Sequence, residues 1–119
     1  MTRMLRALKS YIASLKAVRG LGVATRLHSR GDDEAALATL QQALDVLRLP
    51  IINRSSAPEG STLCGCTILA DQLSRELGQP GPLVEDYRDA LAFLKAMPEG
   101  SHEWQEWIPY LAHKAGDAN

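Results

Sequence analysis

Residues 31–47 read GDDEAALATLQQALDVL, and this stretch decides the fold class. Asp32 is placed to accept hydrogen bonds from the free amides of a helical first turn, while Asp33 and Glu34 put negative charge at the positive end of the helix dipole. Ala36, Leu37, Leu40, Ala43, Leu44 and Leu47 then recur at steps of three and four, laying one apolar stripe along a helix. Gln41, Asp45 and Arg48 fall on the other face. Two of the stripe positions are alanines, and small side chains there let a second helix come to the short end of the usual ~8–10 Å interaxial range.

That second helix is read just upstream. Gly20-x2-Val23-Ala24-x2-Leu27, then Gly31-Asp32, then Ala36-x3-Leu40-x2-Ala43 resembles one tetratricopeptide-type helix-turn-helix unit, whose form is W-x2-L-G-x2-Y followed by A-x3-F. Gly20 stands where the Trp would be, Leu27 replaces the Tyr and Leu40 the Phe. The resemblance rests on small-residue positions and turn chemistry, and it covers about residues 18–48.

The chain has 119 residues, the size of one ordinary domain, with 45% hydrophobic and 23% charged residues, an ordinary soluble composition. No run of about 18 apolar residues is present to cross a membrane. Leu and Ala dominate while β-branched and aromatic residues are scarce, which favours helix over sheet. The net charge of −1 hides an asymmetry: residues 1–30 hold seven Lys and Arg and no acid, and residues 31–119 hold six Lys and Arg against fourteen Asp and Glu, +7 against −8. The two parts are expected to attract, with the basic helix packing on the acidic remainder or simply facing solvent. The other reading is an anionic partner, a membrane surface or an acidic protein. Cys64 and Cys66 are too few for a secreted disulfide framework and no signal-type apolar region with a cleavage site follows Met1, so a reducing cytoplasm is the expected location. The basic, acid-free start does mimic an organelle transit peptide, but Val23 to Leu27 already belong to the hairpin.

Residues 1–19 form a basic amphipathic helix. Met1, Met4, Leu5, Leu8, Tyr11, Ile12, Leu15 and Val18 lie within about 140° of arc, with Arg3, Arg6, Lys9 and Lys16 to one side or behind. This face is expected to be the outer layer of a bundle, with lipid as the alternative contact. Gly20 and Gly22 each weaken a helix by ~1 kcal/mol relative to Ala, so a bend or break is expected there before the first hairpin, 20–48. Residues 49–60, with Pro50, Pro58 and Gly60, form a loop from which Ile51 and Ile52 should tuck back onto that hairpin. A second hairpin spans 61–97, with Ser61 as N-cap, a break at Gly78-Gln79-Pro80-Gly81, and Pro82 opening its second helix. It repeats the first loosely, as Cys66-x2-Leu69-Ala70-x2-Leu73 and Ala90-x3-Leu94, with its inner turn eight residues longer. Ser101 caps a last helix over 101–115, carrying Trp104, Trp107, Ile108 and Leu111 as a capping element and kinked at Pro109.

Chemistry-bearing residues are few. Cys64-Gly-Cys66 pairs two thiols, but residues two apart on a helix point roughly 200° apart, and zinc would want two further ligands. The histidines His28, His102 and His113 stand at no ligand spacing, so no metal or cofactor is expected. His102, Glu106 and His113 fall on a face read as solvated, the Glu85, Asp86 and Asp89 cluster is explained by the helix dipole, and the tryptophans are read as core packing. Gly20-Leu-Gly22 lacks the strand and further glycine of a dinucleotide site. Nucleic acid is not indicated, because the basic residues lie on one amphipathic helix without interleaved aromatics.

The sequence therefore points to a single all-α domain, a small irregular antiparallel helical-hairpin array of five or six helices that binds another protein without catalysis. A dedicated chaperone, an assembly adaptor or an immunity protein would suit it. The alternatives are a small thiol- or metal-dependent enzyme on Cys64 and Cys66, and a membrane-surface protein acting through its basic helix. In tetratricopeptide proteins the first helix of each unit lines a concave groove. The resemblance implies a protein-binding groove lined by Thr25, His28 and Ser29 from the first unit, Cys64, Thr67, Asp71 and Arg75 from the second, and His102 and Gln105 from the last helix.

Overall fold

A computed structural model describes residues 2–116, and within them the chain is all-α, with no strands. Met1, placed in the basic helix by the sequence, lies outside the described residues. The elements are α1 (Thr2–Ser29), α2 (Asp33–Leu47), α3 (Glu59–Leu77), α4 (Val84–Lys95), a 3-10 turn over Glu103–Trp107 and α5 (Ile108–Lys114). Each helix packs on its neighbour in sequence, and α1 also reaches α3.

The anticipated α2 is present, with Ala36, Leu37, Leu40, Ala43, Leu44 and Leu47 all buried, but Asp32 at its N-cap makes no side-chain capping bond to the first-turn amides. Upstream, the break at Gly20 and Gly22 does not occur, and α1 runs unbroken through both. Gly20 serves close approach instead: a Cβ there would lie 3.1 Å from the Ala43 Cβ. Tertiary packing on α2 thus outweighs the modest helix penalty of glycine. Gly31, at φ +81°, then supplies the left-handed residue that turns the chain into α2.

The second correction concerns which face of α1 is inside. Ala13, Ser14, Ala17 and Ala24 are its buried residues, whereas Met4, Leu5, Leu8, Tyr11, Ile12, Leu15 and Val18 are exposed. At about 100° per residue the buried set lies nearly opposite the large apolar set. The +7 segment does pack on α2 and α3 of the acidic remainder, but through these small residues and not through its charges. Among the described residues, none of Arg3, Arg6, Lys9, Lys16, Arg19, Arg26 and Arg30 makes an ion pair. The 28 residues of α1 against 15 in α2 leave residues 2–9 overhanging the hairpin, all of them exposed.

The most enclosed helix is α3, buried at every position from Thr62 to Ile68, as suits a segment without a polar face. It begins at Glu59 rather than being capped by Ser61, whose hydroxyl is engaged by His102 Nε2 at 3.0 Å. Gly60 seats the buried Phe93 ring, which any Cβ there would overlap. Ile52 is buried, and Ser10 Oγ donates to the Ile51 carbonyl at 3.4 Å, so the loop does fold back onto the first hairpin. Helix α4 starts at Val84, beyond Pro82, where the Asp86 carboxylate accepts from the Leu83 amide at 2.9 Å. The last helix is divided: a 3-10 turn precedes α5, and Pro109 falls in the first turn of α5, where its missing N–H costs nothing, instead of kinking a longer helix.

Candidate functional site

The nine residues assigned to a groove do not form one. Thr25 and Ser29 are exposed, and their hydroxyls back-bond to the Leu21 and Arg26 carbonyls, both at 2.8 Å. His28 Nδ1 meets Asp33 Oδ1 at 2.8 Å across the α1–α2 turn. With Arg75, Gln72 and Glu76, His28 lines a shallow depression between the ends of α1 and α3, so two of the nine share a surface. Cys64, Thr67 and Asp71 are buried; the groove that would have exposed them is filled by neighbouring helices packed round α3. His102 and Gln105 act as a clip at the far end. His102 Nδ1 accepts from the Trp104 amide at 3.1 Å, and Gln105 Nε2 donates to the Leu94, Met97 and Pro98 carbonyls, capping the end of α4. Apart from Thr67, each of these polar groups has a partner within the chain.

The two thiols are likewise interior. Cys64 Sγ faces the Ala90 carbonyl at 3.6 Å, and burial pushes both Cys64 and Cys66 up to about 12, with the Asp86 charge adding to the effect at Cys66. A thiol so shifted is protonated at neutral pH and is not a ready nucleophile or metal ligand. Among the described residues no three His, Cys, Asp or Glu side chains converge to hold a metal ion. Thr67 Oγ1 is buried without a hydrogen-bond partner. Thr67→Val, nearly isosteric, should therefore leave stability unchanged or raise it by about 1 kcal/mol in urea denaturation, since it removes a desolvated hydroxyl that gains nothing in return.

Two buried carboxylates that the sequence reading assigned elsewhere organise the polar interior. Asp86 accepts from Arg48 Nη2 at 2.5 Å and Arg54 Nη1 at 2.7 Å, and Arg54 Nε reaches on to Asp89 at 3.0 Å. Asp71 accepts from the Tyr87 and Tyr110 hydroxyls, each at 2.5 Å, and from Arg75 Nε at 3.1 Å. Burial and the bond to Asp71 raise both phenols, Tyr110 to about 12. These sets join the 48–58 loop to α4, and α3 to α4 and α5, and both oxygens of Asp86 and of Asp71 are already taken by protein donors.

No protein-family model, curated protein or solved structure matches this chain.

What stands out on the surface is the outward face of α1. Met4, Leu8, Tyr11, Leu15 and Val18 are between 41% and 77% exposed, on a segment bearing only positive charge. A contiguous row of large apolar side chains is the kind of exposed patch that marks an interaction site rather than scattered surface residues. Along one flank, Leu5, Arg6 and Lys9 meet Leu49, Pro50 and Ile51 around a mostly apolar hollow. Among the described residues no helix is long and apolar enough to cross a membrane.

Proposed function

We propose that this chain is a non-catalytic binding domain that holds another protein on the outward face of α1. The observation that carries the reading is the placement of that face. The helix docks on the body through Ala13, Ser14, Ala17 and Ala24 and presents its large apolar side chains to solvent. Burying such a face on a partner gains about 25 cal/mol per Å² of apolar area, which the isolated chain forgoes. Supporting the absence of catalysis are the buried, protonated thiols and the fully engaged carboxylates. A chaperone, adaptor or immunity protein with a cytoplasmic place remains the class of role proposed. The α1–α2 hairpin, with Gly20 on Ala43 at the crossing, supports the tetratricopeptide likeness over residues 18–48 as part of the same proposal. The binding surface proposed is the outer side of α1, not the inner groove.

The test is site-specific photo-crosslinking in the source cell, with the photoreactive residue at position 8 or 15, and at the exposed position 42 on α2 as control. One protein adduct, identified by mass, from positions 8 and 15 and absent from position 42 is the expected result. Adducts to lipid alone would replace the reading with the membrane-surface one. A Leu8→Asp/Leu15→Asp double variant should lose that adduct at position 11 while its melting temperature stays within the scatter of the unaltered protein, because both side chains are exposed.

A further inference from the structure

Resting on that reading of α1, we infer that its partner is an acidic amphipathic α-helix, packed along α1 as in a two-stranded coiled coil. The exposed row runs Met4, Leu8, Tyr11, Leu15, Val18, with steps of four, three, four and three. That alternation is a 3.5-residue period, which keeps a seam facing one partner helix instead of drifting round the cylinder as a 3.6 period would. Leu5 and Ile12, also exposed, widen the seam on one side. The small, exposed Ala7 borders it on the other side near its start. The seam covers about 21 Å of helix axis at 1.5 Å per residue, long enough for four turns of a partner.

Charge selects among occupants. Residues 1–30 contain seven cations and no acid, and among the described residues none of the seven is ion-paired within the chain. A partner with Glu and Asp beside its apolar seam would be drawn to this cationic helix, with Arg19 at the seam's edge and Lys9 and Lys16 further round on the Leu5 and Ile12 side, favouring encounter. A second copy would set two equally cationic helices side by side, which like-charge repulsion opposes. A lipid surface would meet the charge, but a plane gives no reason for a 3.5-residue period.

The experiment uses the full chain and two fluorescent peptides of about 28 residues, each with Leu at the two seam positions of every heptad. One carries Glu at the flanking positions and the other Lys. The acidic peptide should bind at least about tenfold more tightly than the basic one, weaken as salt rises, and lose at least about tenfold in affinity to the Leu8→Asp/Leu15→Asp variant at unchanged melting temperature. Equal binding of both peptides, or of neither, overturns the inference. So does sedimentation of the chain with phosphatidylserine vesicles when the acidic peptide goes unbound, or dimerisation of the chain alone through the same leucines. If crosslinking from position 15 still yields one protein adduct while the acidic peptide fails, the docking face stands and only the partner's chemistry is wrong.

Discussion

Asp86→Ala should destabilise the fold by about 3–5 kcal/mol, the usual loss when one member of a buried ion-pair set is removed. Asp86 is fully buried. It accepts from Arg48, Arg54 and the Leu83 amide, and the Arg54 side chain is only 10% exposed. Without Asp86, Arg54 would keep the Glu85 carbonyl and, as its one charged partner, Asp89, which is about half open to water, and α4 would lose the oxygen that caps its first turn. Urea denaturation at neutral pH checks the size of the loss. The same group sets an acid limit. Burial alone would push the Asp86 carboxyl up, but hydrogen bonds from Arg48, Arg54 and Leu83 outweigh it and hold the carboxyl below the usual range. A carboxyl more acidic in the folded than in the unfolded chain contributes its full stabilisation above about pH 4, its unfolded value, and loses it progressively as pH falls through the folded one. The unaltered protein should therefore lose stability on acidification below about pH 4, and Asp86→Ala should lack that part of the dependence.

Asp71→Ala should cost about 2–4 kcal/mol, through desolvated partners left unpaired. The carboxylate lies on α3 and accepts from one tyrosine of α4 and one of α5. Lys114 Nζ stands 3.8 Å from it and 5.5 Å from the Tyr87 ring centroid. Removing the acceptor strands the Tyr87 hydroxyl in the interior and frees α5, whose seven residues are too few to hold as an isolated helix. Asp71→Asn should lose less, since the amide oxygen can still accept from one phenol. A double-mutant cycle with Tyr87→Phe measures the coupling: Asp71→Ala should cost clearly less in the Tyr87→Phe background than alone. Additive costs would show that the two side chains do not act together.

These carboxylates also mark what the sequence conceals. Helix α2 was legible because the apolar stripe and the acidic first turn agree within seventeen residues. The helical class followed from Leu and Ala content and from the turns at Gly31, Gly78 and Gly100, each at positive φ. Asp86 was read as a helix-dipole residue, since its partners Arg48 and Arg54 lie 38 and 32 residues away and no local pattern links them. Asp71 reads as a groove residue because the tetratricopeptide resemblance places it on the groove side of a unit's first helix. That placement fails for a helix enclosed on all sides, where a polar group is instead held by bonds from several neighbours. A clue was present in α3: residues 62–68, TLCGCTI, contain no charge, which is the composition of a buried helix rather than an amphipathic one.

The reversal of α1 has a different cause. The helix carries two candidate faces, one of large apolar residues and one of small residues, and hydrophobicity alone ranks the large one as core. Packing depends as much on how closely backbones approach: Gly20 sits against Ala43 of α2, and Ala17 and Ala24 of α1 and Ala36 of α2 are buried with them. Small faces on both sides fit each other, and the large side chains are left outside. The twin alanines of α2 were visible in the sequence as a site of close approach. What they implied for the upstream helix was a partner face of small residues.

The orientation of α1 underlies both the proposed docking face and the partner inferred for it, and thiol labelling reads it directly. Cys64 and Cys66 are fully buried, with thiols pushed up to about 12, so the folded protein should react with a maleimide only slowly. Single variants Ser14→Cys and Leu15→Cys then place one reporter on each side of the helix, Ser14 being 8% exposed and Leu15 41%. The structure predicts rapid labelling of Leu15→Cys and protection of Ser14→Cys until the chain is unfolded. Fast reaction at position 14 with protection at position 15 would mean that the large apolar face is packed inside, and would contradict the account.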